Sequence, residues 1–129
     1  MKKSFVGAAR TAKRAYSPAV VTEGAAKTLW LAGHTGAVDD TGKSLAGDFD
    51  AQCRQTFRNI EKTLAEAGAK LADLVTMTVS ISDPRYGDRF IKIRHELFPD
   101  GKFPSSALIT VSNFAHPGIL IEIQGVAVV

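Results

Sequence analysis

Glu122 stands in the closing stretch GILIEIQGVAVV, among three isoleucines and a leucine, although the chain has ample surface elsewhere for its charges. Two readings follow. A carboxylate on an edge strand can reach solvent or a neighbouring Lys or Arg, because acidic side chains are seldom buried without a partner. A partly desolvated carboxylate can instead pass protons near neutral pH, and Gln124 extends a polar patch on the same side of the strand.

The other reactive side chains give weaker signals. His34 lies in LAGHTG between two glycines, which admit a ligand close to the backbone and equally make a turn before VDDTGK. His95 sits among charged helix residues and reads as solvated, and His116 in NFAHPG reads as a loop residue before proline. The three share no metal-ligand spacing, so no metal site is expected. Cys53 is the only cysteine, which rules out an internal disulfide and a cysteine-based zinc site; it lies on an apolar helix stripe and reads as a small core residue. The serines of SSAL belong to neither G-x-S-x-G nor S-x-x-K, and GKS at 42–44 lacks the upstream glycine of a phosphate loop. No cofactor is implied.

These residues must be positioned by a small set of elements. Period-two alternation in LVTMTVSIS puts Val75, Met77, Val79 and Ile81 on one side and Thr76, Thr78, Ser80 and Ser82 on the other, a strand with one apolar face. TLWLAG, SSALITVS and the stretch from Ile119 onward read as further strands. In the last, Ile119, Ile121 and Ile123 face one way, and Leu120, Glu122, Gln124 and Val126 the other. Cys53, Phe57, Ile60, Leu64 and Ala67 recur at helical spacing between Asp48, a capping residue, and Gly68, a stop. A second helix spans YGDRFIKIRHELF, with Phe90, Ile93 or Arg94, and Leu97 on its buried stripe, bounded by Pro84 and Pro99. The order of strands, helix, strand, helix and strands is α+β: one mixed sheet with two helices on one face. Apolar residues on both sides of several strands leave a second face to be covered, and a closed homo-oligomer covers it.

Length and composition agree with a single domain over residues 1–129, 45% hydrophobic and 22% charged, with no repeat or linker marking a boundary. The uncharged run Phe103–Leu120 contains two prolines, an asparagine and a histidine and cannot form a membrane-spanning helix. Arg10, Lys13 and Arg14 interrupt the opening segment, which lacks an apolar core of secretory length, so a cytoplasmic protein without a membrane partner is expected. Net charge is +3. The five Lys and Arg of residues 1–22 read as a solvated segment, and nucleic acid is not an expected partner.

Taken together, these segments resemble the RidA (YjgF) family of small enamine/imine deaminases, some of which carry the label endoribonuclease L-PSP. AYSPAV resembles the family's Y-S-x-A-V segment and LWLAGHTG its strand ending in S-G-Q. GDFDAQCRQTFRNIEKTLAEAGAKLADLVTMTVSISD is similar to its central helix and strand, and FPSSALITV with ILIEIQGVAVV to its closing strands. The resemblance implies a chorismate-mutase-like fold and a homotrimer with a central β-barrel and clefts between subunits. It also implies an arginine in P-x-R-S that holds the substrate carboxylate, a glutamate in the last strand that positions the attacking water, and a cleft-lining tyrosine. Tyr16 and Glu122 match. Ser106 stands where the arginine is expected, His34 replaces a glutamine, Leu108 a cysteine or threonine, and Ile91 an asparagine.

An arginine–carboxylate fork is worth about 1.5–3 kcal/mol, more than a serine hydroxyl supplies. Amino-acid imines should therefore bind poorly unless Arg85, Arg89, Arg94 or an N-terminal lysine turns into the cleft. The expectation is a RidA-like hydrolase of a C=N metabolite, with Glu122 catalytic and Tyr16, His34, Ile91, Ser106 and Leu108 binding a substrate other than a standard amino-acid imine. A non-catalytic trimer that binds small ligands or acts like a chaperone is the alternative, and a ribonuclease the third.

Overall fold

Hydrophobic alternation builds the sheet and helical spacing covers one side of it. The computed structural model describes residues 1–24 and 26–129. In chain order the elements that position the site are β1 (Lys2–Val6), a one-turn α1 (Ala8–Thr11), β2 (Ala19–Glu23), β3 (Thr28–Trp30), α2 (Phe49–Glu66), β4 (Leu74–Ile81), α3 (Gly87–Leu97), β5 (Ser105–Thr110) and β6 (Ile121–Val128). Four strands form the mixed sheet in the order β3-β6-β4-β5. β6 runs antiparallel to both β3 and β4, while β4 and β5 are parallel and joined through α3. β1 and β2 form a separate antiparallel ribbon, an addition to the single sheet read from the sequence.

The helices pack on one face. Phe57, Ile60 and Leu64 of α2 and Phe90 and Ile93 of α3 are buried against Met77, Val79, Ile81, Ile121 and Ile123 of the central strands. The Asp48 side chain accepts a hydrogen bond from the Ala51 N–H at 3.0 Å, satisfying one of the free donors at the start of α2. Gly68, at φ +76°, reverses the chain after it. Cys53 is fully buried on this stripe, and burial pushes its thiol up to about 12, so it is a core residue and not a nucleophile.

One strand differs in detail from the alternation. The β4–β6 register shifts between Leu74 and Thr76, a bulge that brings Leu74 rather than Val75 onto the apolar face with Met77, Val79 and Ile81. A strict period of two cannot register the extra residue.

The face away from the helices is uncovered. Trp30 is 80% exposed there and Ile109 45%, and Val126 pairs with Trp30 across the strands. Among the described residues no helix is long and apolar enough to cross a membrane.

Candidate functional site

Residues paired across neighbouring strands share a face of the sheet, and this rule divides the candidate residues into two groups. Ser106 pairs with Met77 and Leu108 with Val79, both fully buried, so Ser106 and Leu108 point to the helix side at the outer strand β5. Glu122 pairs with Ser80, which alternates with the buried Val79 and Ile81, so Glu122 points to the uncovered side.

The first group lines a cavity of about 250 Å³ formed by Arg14, Tyr16, Ile91, Arg94, Ser106 and Leu108. Tyr16 is held there by the segment around it. Ser17 is completely buried, its hydroxyl donates to the Phe103 carbonyl at 2.6 Å, and its N–H donates to the Pro104 carbonyl at 3.0 Å. Ala15, between Arg14 and Tyr16, is buried in the left-handed region at φ 59°, a conformation that costs a residue with a Cβ about 1–2 kcal/mol. The chain thus turns sharply between the two pocket residues.

Of the three arginines that could turn into the cleft, Arg94 is the one that lines this cavity. It lies one turn beyond Phe90 and is 1% exposed. Its Nη1 donates to the Ser106 hydroxyl at 2.6 Å and its Nη2 to the Arg14 carbonyl at 3.2 Å, while its carbon centre lies 4.7 Å from the centroid of the Phe90 ring. Nε is buried with no hydrogen-bond partner. Burial lowers its pKa to about 10, with Arg14 adding a smaller effect in the same direction, so it is cationic at neutral pH. Arg14, Cys53 and Tyr16 are the titratable groups that bear on it. Its signal in the sequence was a charged residue at helical spacing from Phe90 on an apolar stripe. Arg85 and Arg89 turn elsewhere, to Asp83 and Asp50.

The second group is Glu122 and the backbone of β3's continuation. A Cβ placed on Gly33 would fall 2.7 Å from Glu122 Oε2 and 2.9 Å from its carboxyl carbon, so only a glycine lets the carboxylate lie against this backbone without displacement. Glu122 is half-buried. Among the described residues its carboxylate makes no ion pair or side-chain hydrogen bond.

His34 is held by backbone bonds in both directions to Ile123, at 2.8 and 2.9 Å, and its ring points to the helix side. Nδ1 lies 2.8 Å from the Ala32 carbonyl and Nε2 2.8 Å from the Thr63 hydroxyl on α2. The neutral ring donates from Nδ1 and accepts at Nε2. Its ring therefore ties the end of β3 to α2 and lies with neither group in this chain. His95 is exposed, near the Lys13 carbonyl at 3.1 Å, and His116 is exposed in its loop. Among the described residues no cluster of three His, Cys, Asp or Glu could hold a metal.

A mixed sheet backed by two helices, with a tyrosine, β5 side chains and a last-strand glutamate at these positions, defines a Rid-type domain. The chain belongs to the endoribonuclease L-PSP family, whose pattern matches residues 7–129; this is the RidA/YjgF family. It is 30% identical over 99 residues to a RutC family protein of Pyrococcus abyssi, covering 77% of this chain and 76% of that one. It is 34% identical over 85 residues to a RutC family protein of Aquifex aeolicus, covering 66% and 65%. Among solved structures, the Rid family protein YyfB of Yersinia pestis superposes over 100% of both chains with a TM-score of 0.87 at 24% identity, a likeness of fold. YyfA of the same organism covers 99% of this chain and 100% of its own with a TM-score of 0.73 at 28% identity.

Proposed function

We propose that this chain is a hydrolytic deaminase of imines or enamines, working in a cleft completed between subunits of a closed homotrimer. The observation that carries this reading is the division of the site. Tyr16, Ser106 and Leu108 lie on the helix side of the sheet and Glu122 on the other, so one chain cannot present both groups to one small molecule. A neighbouring subunit laid on the uncovered face, where Trp30 and Ile109 are exposed, brings its own half of the site to complete the cleft. Glu122 then holds a water and takes its proton as the oxygen attacks the imine carbon. The proton passes to nitrogen, the C–N bond breaks, and the imine plus water yields a carbonyl compound and ammonia.

Two inactive variants test this reading when mixed. Glu122→Gln removes the proton carrier, and Leu108→Trp fills the binding half. After unfolding and refolding together in equal amounts, about a quarter of the sites should take one intact half from each neighbour and recover activity on whichever small imine, with or without a carboxylate, the wild type hydrolyses. Recovery absent while each variant alone keeps the wild-type mass and melting temperature would place both halves in one chain. No acceleration by the wild type over the spontaneous hydrolysis of any imine in a panel with and without a carboxylate would overturn the deaminase reading itself.

A further inference from the structure

We infer that the cavity between β1, the turn at 70–73 and the end of α3 is a second binding site, separate from the cleft, and that its ligand is a small monoanion with an aromatic or aliphatic body. Three segments distant in the chain enclose about 300 Å³ there, a volume in the range of small-molecule sites. One wall is apolar, made by Phe5 of β1 and by Leu97, Phe98 and Pro99 at the end of α3. Phe98 is 6% exposed and its ring centroid lies 6.4 Å from that of Phe103, so this wall is anchored in the core. The chain then turns back. The Gly101 N–H donates to the Phe98 carbonyl at 3.2 Å, with Gly101 at φ +71°, and the turn brings Asp100 and Lys102 to the rim.

The rest of the lining carries charge. Lys3, Lys70 and Lys102 set three ammonium groups against the carboxylates of Asp73 and Asp100, a formal surplus of one positive charge. Among the described residues none of the five belongs to an ion pair. Lys3 is half-buried and its Nζ donates to the Ala72 carbonyl at 2.8 Å, which fixes the ammonium on the cavity wall with two protons left to give. Asp73 is already engaged, because its carboxylate accepts from the Lys70 N–H at 2.9 Å and caps the turn. A monoanion neutralises the surplus, takes the remaining protons of Lys3 and lays its body on Phe5 and Phe98. A cation would meet the ammoniums, and an uncharged ligand would leave the surplus in place. Among the described residues none lines both cavities, although α3 gives a wall to each, through Ile91 and Arg94 to the cleft and Leu97 to this site.

Phenylacetate, its uncharged amide and phenethylamine present one ring with a negative, a neutral and a positive end. Each is titrated into the assembled protein, with affinity read by calorimetry and location by amide NMR shifts. Phenylacetate should move the signals of Phe5, Ala72, Phe98 and Lys102 and bind about 10-fold or more tightly than the amide, with phenethylamine the weakest. The preference should shrink as salt rises, because ammoniums at a rim are screened. Lys3→Met keeps the side-chain stem and removes the charge held at the wall, so the protein should remain folded and lose most of the preference. Lys102→Glu, at an exposed position outside the strands, should lose it by reversing a charge. Ala72→Trp, also at an exposed position, should fill the cavity and abolish binding there. Equal binding of acid and amide, tighter binding of phenethylamine, or shifts confined to the cleft residues Tyr16, Ile91 and Leu108 overturns the inference, as does a folded Lys3→Met or Lys102→Glu protein that keeps the full preference.

Discussion

The carboxylate of Glu122, the proposed proton carrier, lies closely against Gly33. Glu122→Gln keeps the shape and removes proton transfer, so turnover should fall about 100-fold or more with little change in melting temperature. Gly33→Ala gives a sharper test, because its Cβ would meet the carboxylate at 2.7 Å. The obstructed atoms are the end of a flexible side chain, so the protein should fold and lose turnover together, and unchanged kinetics would show that the carboxylate's position against Gly33 is immaterial. Arg94 adds a pH signature. Its folded pKa, about 10, lies below the ordinary arginine range, so above about pH 10 the unfolded chain binds more protons and this group's contribution to stability rises with pH. Arg94→Met lacks that contribution. Any excess stability of Arg94→Met over wild type should therefore shrink above about pH 10, and a gap that stays constant would contradict a buried, unneutralised cation.

At the scale of elements, Gln52 links the helix layer to the last strand. It is fully buried; its Nε2 donates to the carbonyls of Leu45 and Gly118 at 3.1 and 3.0 Å, and its Oε1 accepts from the Leu120 N–H at 3.0 Å. Gln52→Ala orphans these groups and should cost about 1–3 kcal/mol in denaturant unfolding; it also loosens the approach to Glu122. Nothing in the sequence pointed to this role, since a glutamine beside Cys53 reads as an ordinary helix residue. The main elements were legible because their patterns are local: β4 and β6 alternate at period two, and α2 carries its cap, stripe and stop in contiguous residues. The β1–β2 ribbon was not, because KKSFV and AVVTE are short and half-exposed and become strands by pairing with each other. Of the site, Tyr16, Ile91, Ser106 and Leu108 were legible through the family resemblance and converge on one cavity. Which helix-stripe charge turns inward depends on three-dimensional packing, and only the fold singles out Arg94 from Arg85 and Arg89.

For the whole molecule, the uncovered face predicts assembly. Light scattering in dilute solution should report three chains per particle, and a monomer that unfolds cooperatively would remove the basis for a shared cleft. The sheet order also bears on how the protein is made. β6 lies between β3 and β4, yet of the four strands it is the last to leave the ribosome. Until residues 121–128 emerge, β3 has no partner and the apolar side chains of β4 lack half of their cover, so the nascent chain carries an open seam through the centre of its sheet. Domain closure must wait for β6, and ending translation after Gly118 should leave a species bound by chaperones rather than a shortened but folded domain.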